Sequence, residues 1–61
     1  MLKKQMKVGL EILSPNDFVW KVIKKYSLNL FLIKRIEDEL TYMLPEKEFY
    51  LWELYKKETK P

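Results

Sequence analysis

The chain has no cysteine, no histidine and a single glycine. Without cysteine there is no disulfide, and without cysteine or histidine the usual zinc ligand sets cannot be assembled. One glycine, Gly9, excludes a glycine-rich phosphate loop. Long apolar runs are missing too. The longest are Leu30–Ile33 and Phe49–Trp52, whereas a membrane-spanning helix needs about 20 apolar residues. The basic start, Met1-Leu2-Lys3-Lys4, is not followed by the apolar stretch of a signal peptide, because Lys7, Gly9 and Glu11 interrupt it. The expectation is a soluble, cytoplasmic protein, and the absence of cysteine agrees with a reducing compartment. Neither sign of charge dominates: 12 basic against 9 acidic residues give a net charge of +3, which permits contact with nucleic acid without demanding it.

What is present is apolar and aromatic. Hydrophobic residues make up 48% of the 61 residues and aromatic ones 15%. A chain this short forms one domain, residues 1–61. It buries only about 60% of its unfolded surface, and a core of that size supplies roughly 3–5 kcal/mol. With no disulfide or metal staple, an unusually aromatic core or an interface with a second chain must supply the rest. Self-association or marginal stability is therefore expected of the isolated protein.

The spacing of apolar residues predicts an all-α fold, a small bundle of three or four short helices. Ser14-Pro15-Asn16-Asp17 reads as a helix start, with Ser14 as N-cap and Pro15 in the first turn. Phe18, Val19, Val22, Ile23 and Tyr26 follow at helical spacing, and Trp20 points away from that face. Ser27-Leu28-Asn29 breaks the pattern. A second helix then carries Ile33, Ile36, Leu40 and Met43 or Leu44 on one side, with Lys34, Arg35, Glu37, Asp38, Glu39 and Thr41 on the rest. Pro45 ends it and opens a third helix, with Glu46 and Glu48 in its first turn. Residues 2–13 read as a helix through Leu2, Met6, Leu10 and Leu13. Val8, Leu10 and Ile12 also alternate as in a strand, but a lone strand has nothing to pair with in a monomer. The alternative architecture is accordingly an N-terminal strand followed by helices, as in a ribbon-helix-helix dimer, with Gly9 and Glu11 facing outward.

No catalytic constellation is found. The hydroxyl candidates Ser14, Ser27, Thr41, Thr59 and the tyrosines have no histidine or cysteine to work with, and the adjacent acids Glu37, Asp38 and Glu39 would point different ways on a helix. The expectation is a non-enzymatic protein with no cofactor and no metal. Val22 to Leu40 has helix-turn-helix spacing, which would make it a DNA-binding regulator with Lys24, Lys25, Lys34 and Arg35 as the contact residues. Two features oppose that reading. Ile23 stands where the motif needs a small residue, and Leu30-Phe31-Leu32 cannot read base edges. A membrane-surface helix over 45–60 is opposed by Glu46, Glu48, Glu53 and Glu58.

The preferred expectation is a small regulatory protein that binds and inhibits or adapts a larger protein. It would use an exposed aromatic and aliphatic helical face, with Trp20, Leu30, Phe31, Leu32 and Trp52 as the contacts. Leu28-Asn29 through Ile33, followed by Ile36-Glu37-Asp38-Glu39-Leu40, resembles the second helix of the Sda family of sporulation histidine-kinase inhibitors. That resemblance implies a helical hairpin and a kinase-binding inhibitor. A homodimer is the other association considered. Small single-domain regulators of this kind are common products of phages and mobile elements.

Overall fold

The computed structural model describes residues 5–55 and shows an antiparallel β-sheet protein. Strand β1 is Glu11–Leu13, β2 Val19–Ser27, β3 Leu30–Arg35, β4 Thr41–Pro45 and β5 Glu53–Leu54, with a 3₁₀ helix at Glu46–Leu51 between β4 and β5. The strands lie in the order β4-β3-β2-β1-β5, so the last strand returns beside the first. The all-α helical bundle is thereby overturned, and with it the ribbon-helix-helix alternative, which needs two helices after its strand.

The strands form because β-branched and aromatic residues alternate between two sides. In β2, Trp20 and Val22 are buried while Lys21 is exposed; in β3, Phe31 and Ile33 are buried while Leu30, Leu32 and Lys34 are half-buried on the other side. Register confirms the shared faces. Ile12 lies opposite Trp20, Trp20 opposite Arg35 and Val22 opposite Ile33, and Phe31 opposite Leu44. Ile12, Trp20, Val22, Phe31, Ile33 and Leu44 join Phe49 of the 3₁₀ helix in one core. The Phe31 and Phe49 rings sit 5.9 Å apart, tilted by 51°.

The 3₁₀ helix lays Phe49 on this face, Met6, Leu10, Phe18 and Trp52 pack against it, and the sheet curls over the rest. Irregular register between Val22 and Lys24 and between Lys25 and Ser27 bends the long strand β2. Both ends of the sheet then lean on Trp20. Tyr42 from β4 packs edge-on at 6.3 Å and Trp52, just before β5, at 5.7 Å, although β4 and β5 are opposite ends of the strand order.

The segments read as helix boundaries are turns. Ser14-Pro15-Asn16-Asp17 joins β1 to β2. The Asp17 N–H donates to the Ser14 carbonyl (2.9 Å), the Phe18 N–H donates to Ser14 Oγ (3.0 Å) and Ser14 Oγ donates to Asn16 Oδ1 (2.5 Å). Ser, Pro, Asn and Asp favour helix starts and turns for the same reason, a short polar side chain that bonds nearby backbone. Ser14 is buried, so Ser14→Ala leaves the Phe18 N–H without its acceptor. A loss of about 1–2 kcal/mol is expected, read as a lower urea midpoint with an unchanged slope.

Ser27 pairs with Leu30, making Leu28-Asn29 a two-residue hairpin loop, braced by the Asn29 N–H on Ser27 Oγ (3.2 Å). Ile36–Asp38 turn between β3 and β4. Consequently the segment Leu28–Leu40, which resembles the Sda second helix, is strand and turn, and the helical hairpin implied by the resemblance is not present. Of the strand-like alternation Val8, Leu10 and Ile12, only Ile12 lies in a strand, β1, while Val8 is in a turn and 57% exposed. The partner of this segment is β2 of the same chain: Gly9 N–H donates to the Val22 carbonyl (2.7 Å) and Val22 N–H to the Leu10 carbonyl (2.8 Å). Gly9 has φ +97°, a conformation that glycine alone adopts without strain. The third helix, begun at Pro45, shrinks to the 3₁₀ helix, and its continuation beyond residue 55 lies outside the described residues. No helix among the described residues is long and apolar enough to cross a membrane.

Candidate functional site

An open groove of about 490 Å³ is lined by Ser14, Pro15, Asn16, Trp20, Tyr42 and Trp52. Four separate pieces of sequence build it. The β1–β2 turn gives Ser14, Pro15 and Asn16, β2 gives Trp20, β4 gives Tyr42, and the residue between the 3₁₀ helix and β5 gives Trp52. Curling of the sheet brings them together. Trp20 is the floor, 7% exposed, while Tyr42, 40% exposed, stands as one wall and half-buried Trp52 as the other.

Two polar features belong to residues that line the groove. The Tyr42 hydroxyl donates to Glu48 Oε1 at 2.7 Å, and this bond, with a smaller contribution from burial, raises the phenol above its ordinary value. The indole Nε1 of Trp20 is buried without a hydrogen-bond partner. A shielded donor left unpaired costs about 1–3 kcal/mol. On its other flank Trp20 carries the Arg35 guanidinium, 5.5 Å from the ring, and Phe18 lies 4.6 Å from the same cation.

The residues expected to bind protein are dispersed. Trp20 and Trp52 meet in the groove. Phe31 is 2% exposed and is a core residue, which removes it from any contact surface. Leu30 and Leu32 point to the outer face of the sheet, away from Trp20, because they alternate with Phe31 and Ile33 along β3. Five residues read as one helical face thus divide among a groove, a core and the opposite side. Sequence reasoning does not bring Ser14, Pro15, Asn16 or Tyr42 to a binding site. The turn-forming run Ser14–Asp17 was visible, but only a β reading places it beside a tryptophan.

The alternative DNA-contact residues are also redistributed. No recognition helix exists, because Val22–Leu40 is a β-hairpin with its following turn. Lys24 and Lys25 are exposed near the end of β2, with Lys24 Nζ 5.0 Å from the Tyr26 ring. Lys34 lies directly opposite Lys21 on the outer face, and Arg35 faces the core side. Arg35 is engaged twice by Asp38, Nε to Oδ1 at 2.8 Å and Nη2 to Oδ2 at 2.6 Å. That hydrogen-bonded pairing, helped by the Leu40 N–H, lowers Asp38 from 3.8 to about 2. A depressed carboxylate contributes to the β3–β4 turn at neutral pH and loses that contribution as pH falls from 3.8 toward about 2. The Asp38 carboxyl carbon is expected to titrate near the lower value by NMR, with the Leu40 amide shifting in step. A midpoint at the ordinary aspartate value would mean that the fork is not formed in solution.

Among the described residues there is no group of acidic side chains placed to hold a metal. Two hydroxyls belong to the lining: that of Ser14 is committed to Asn16 and Phe18 and that of Tyr42 to Glu48. No protein-family model, no curated protein and no solved structure matches this chain.

Proposed function

We propose that this chain is a non-enzymatic binding module that docks an extended segment of a larger protein in the Trp20–Tyr42–Trp52 groove. One observation carries the reading: both tryptophans of the chain, a half-exposed tyrosine and an exposed proline converge on one open groove of about 490 Å³. Aromatic walls that stand apart suit a polyproline-II-like segment, whose stiff backbone loses little entropy on docking and presents its carbonyls outward. The lining offers no carboxylate, lysine or free nucleophile, which supports a binding role over catalysis.

Both tryptophans lie in the groove, so intrinsic fluorescence reports its occupancy directly. The test is titration with an array of proline-containing and scrambled extended peptides. Saturable emission changes restricted to one class of extended sequence support the reading. No change with any peptide, while lysate capture still retrieves a protein partner, would move the contact surface elsewhere.

A second reading has its own observation. Lys21 and Lys34 face each other across β2 and β3, where like charges are unfavourable, and exposed Lys24 lies on the same outer side, opposite Leu32. An anionic strand along this face would relieve the repulsion. Capture from lysate with and without nuclease separates the two: a partner lost on nuclease treatment, with affinity falling steeply in salt, selects the lysine face.

A further inference from the structure

The two ends of the sheet are protected unequally. At one end β5 has only two residues and carries Glu53, and short charged edges resist pairing with other chains. At the other end β4 is five residues long, and Thr41-Tyr42-Met43-Leu44-Pro45 contains no lysine, arginine, aspartate or glutamate. Both Tyr42 and Met43 are 40% exposed. The 3₁₀ helix that follows adds exposed Tyr50 and Leu51.

The hydrogen-bond phase of β4 shows what its open side offers. Arg35 N–H donates to the Leu40 carbonyl (2.7 Å) and Glu46 N–H to the Asn29 carbonyl (2.8 Å). In an antiparallel ladder bonded pairs alternate with non-bonded ones, so with Ile33 opposite Tyr42 and Phe31 opposite Leu44 the even-numbered residues of β4 face β3. Thr41, Met43 and Pro45 therefore turn their backbone groups outward. Pro45 lacks an N–H on the one side where no internal bond is lost. Nothing among the described residues pairs with this side, which presents the N–H groups of Thr41 and Met43 and the carbonyls of Thr41, Met43 and Pro45.

We propose that this edge joins two copies of the chain, β4 against β4 and antiparallel, making one continuous sheet across the dimer. In the register that engages all three outward residues, Met43 pairs with Met43 of the second copy and exchanges two hydrogen bonds. The Thr41 N–H of each copy donates to the Pro45 carbonyl of the other. The missing Pro45 proton leaves only a Thr41 carbonyl under-satisfied, which is cheaper than an orphaned N–H. Local charge allows a copy of this chain as the occupant. β4 is neutral along its whole length, so two β4 edges meet with no like charges between them despite the net charge of +3 on each copy. The same register brings Lys47 of one copy toward the acidic Glu37–Glu39 turn of the other. In this register the half-exposed Met43 side chains meet each other on the outer face, and Tyr42 of each copy lies beside Leu44 of the other.

The test is sedimentation equilibrium from about 10 µM to about 1 mM, with amide hydrogen exchange at both ends of the range. The mass is expected to rise toward twice the 7.5 kDa of one chain, and the Thr41 and Met43 amides to become protected only at high concentration. Met43→Lys sets two like charges face to face at the two-fold while its side chain stays on the outer face. It is expected to remain at the single-chain mass with a native amide spectrum. Three outcomes overturn the proposal. They are a wild-type chain that stays monomeric throughout, protection of Thr41 and Met43 in a monomer, which would mean that the chain covers its own edge, and a dimer whose Thr41 and Met43 amides exchange freely. The wild-type exchange experiment decides the matter even if Met43→Lys fails to fold.

Discussion

Phe31→Ala is expected to leave the chain unfolded at 25 °C. Phe31 is 2% exposed, stands opposite Leu44 and packs on Phe49, so it ties β3, β4 and the 3₁₀ helix together. Removing a buried phenylalanine costs about 3–5 kcal/mol, because transfer energy is lost and a cavity is left. A single core in a chain of this size supplies about the same amount. The two figures meet, so the folded population should fall to a minor species. Far-UV circular dichroism and the loss of dispersed amide resonances measure this. Leu30→Ala is the control. Leu30 is the neighbour of Phe31 but half-buried on the outer face beside Pro45, and a cooperative urea transition should persist. Equal behaviour of the two variants would contradict the alternation of β3. A folded Phe31→Ala would return Phe31 to the contact surface first suggested by its place in Leu30–Ile33.

The same stretch explains why the fold was hard to read. Leu30-Phe31-Leu32-Ile33 covers every side of a helix and both faces of a strand, and a short apolar run does not distinguish the two by period. The residues that seemed to settle it at helical spacing, Ile36 and Leu40, are in or beside a turn and 49% and 51% exposed. They supplied a period without belonging to a core. The β-forming content of Val19, Trp20, Val22, Ile23 and Tyr26 was legible, and so were the turn-forming Ser14–Asp17 and Ser27–Asn29. Each pair of signals also fits a helix body and its cap. What no local pattern shows is the return of residues 53–54 to β1, which seats Trp52 on Trp20. The pairing of two tryptophans thirty-odd positions apart is a product of sheet order. Sequence therefore named two of the six groove residues, Trp20 and Trp52, without their common setting. The single glycine was likewise visible, but only its φ of +97° explains why the approach to β1 needs it.

Trp52→Ala is expected to abolish docking in the groove while the sheet survives. Trp20 is a poor choice for this test, since it is 7% exposed and held by Ile12, Tyr42 and Arg35, so its loss would confuse unfolding with loss of contact. Trp52 is half-buried, lies outside the strands and meets Trp20 in an edge-on contact at 5.7 Å. A central aromatic anchor contributes about 2 kcal/mol or more to a protein contact, which is roughly a 30-fold weakening. The urea midpoint should fall by less than for Phe31→Ala, because part of the Trp52 ring is already in water. Trp20 remains as a fluorophore in the variant, so the same peptide titration applies, with capture of the partner from nuclease-treated lysate as a second readout. Loss of binding by a folded Trp52→Ala chain ties the partner to the groove. Undiminished binding by that folded chain removes the groove as the docking site and leaves the outer face, with Leu32, Met43 and the Lys21–Lys34 pair, as the surface to test next.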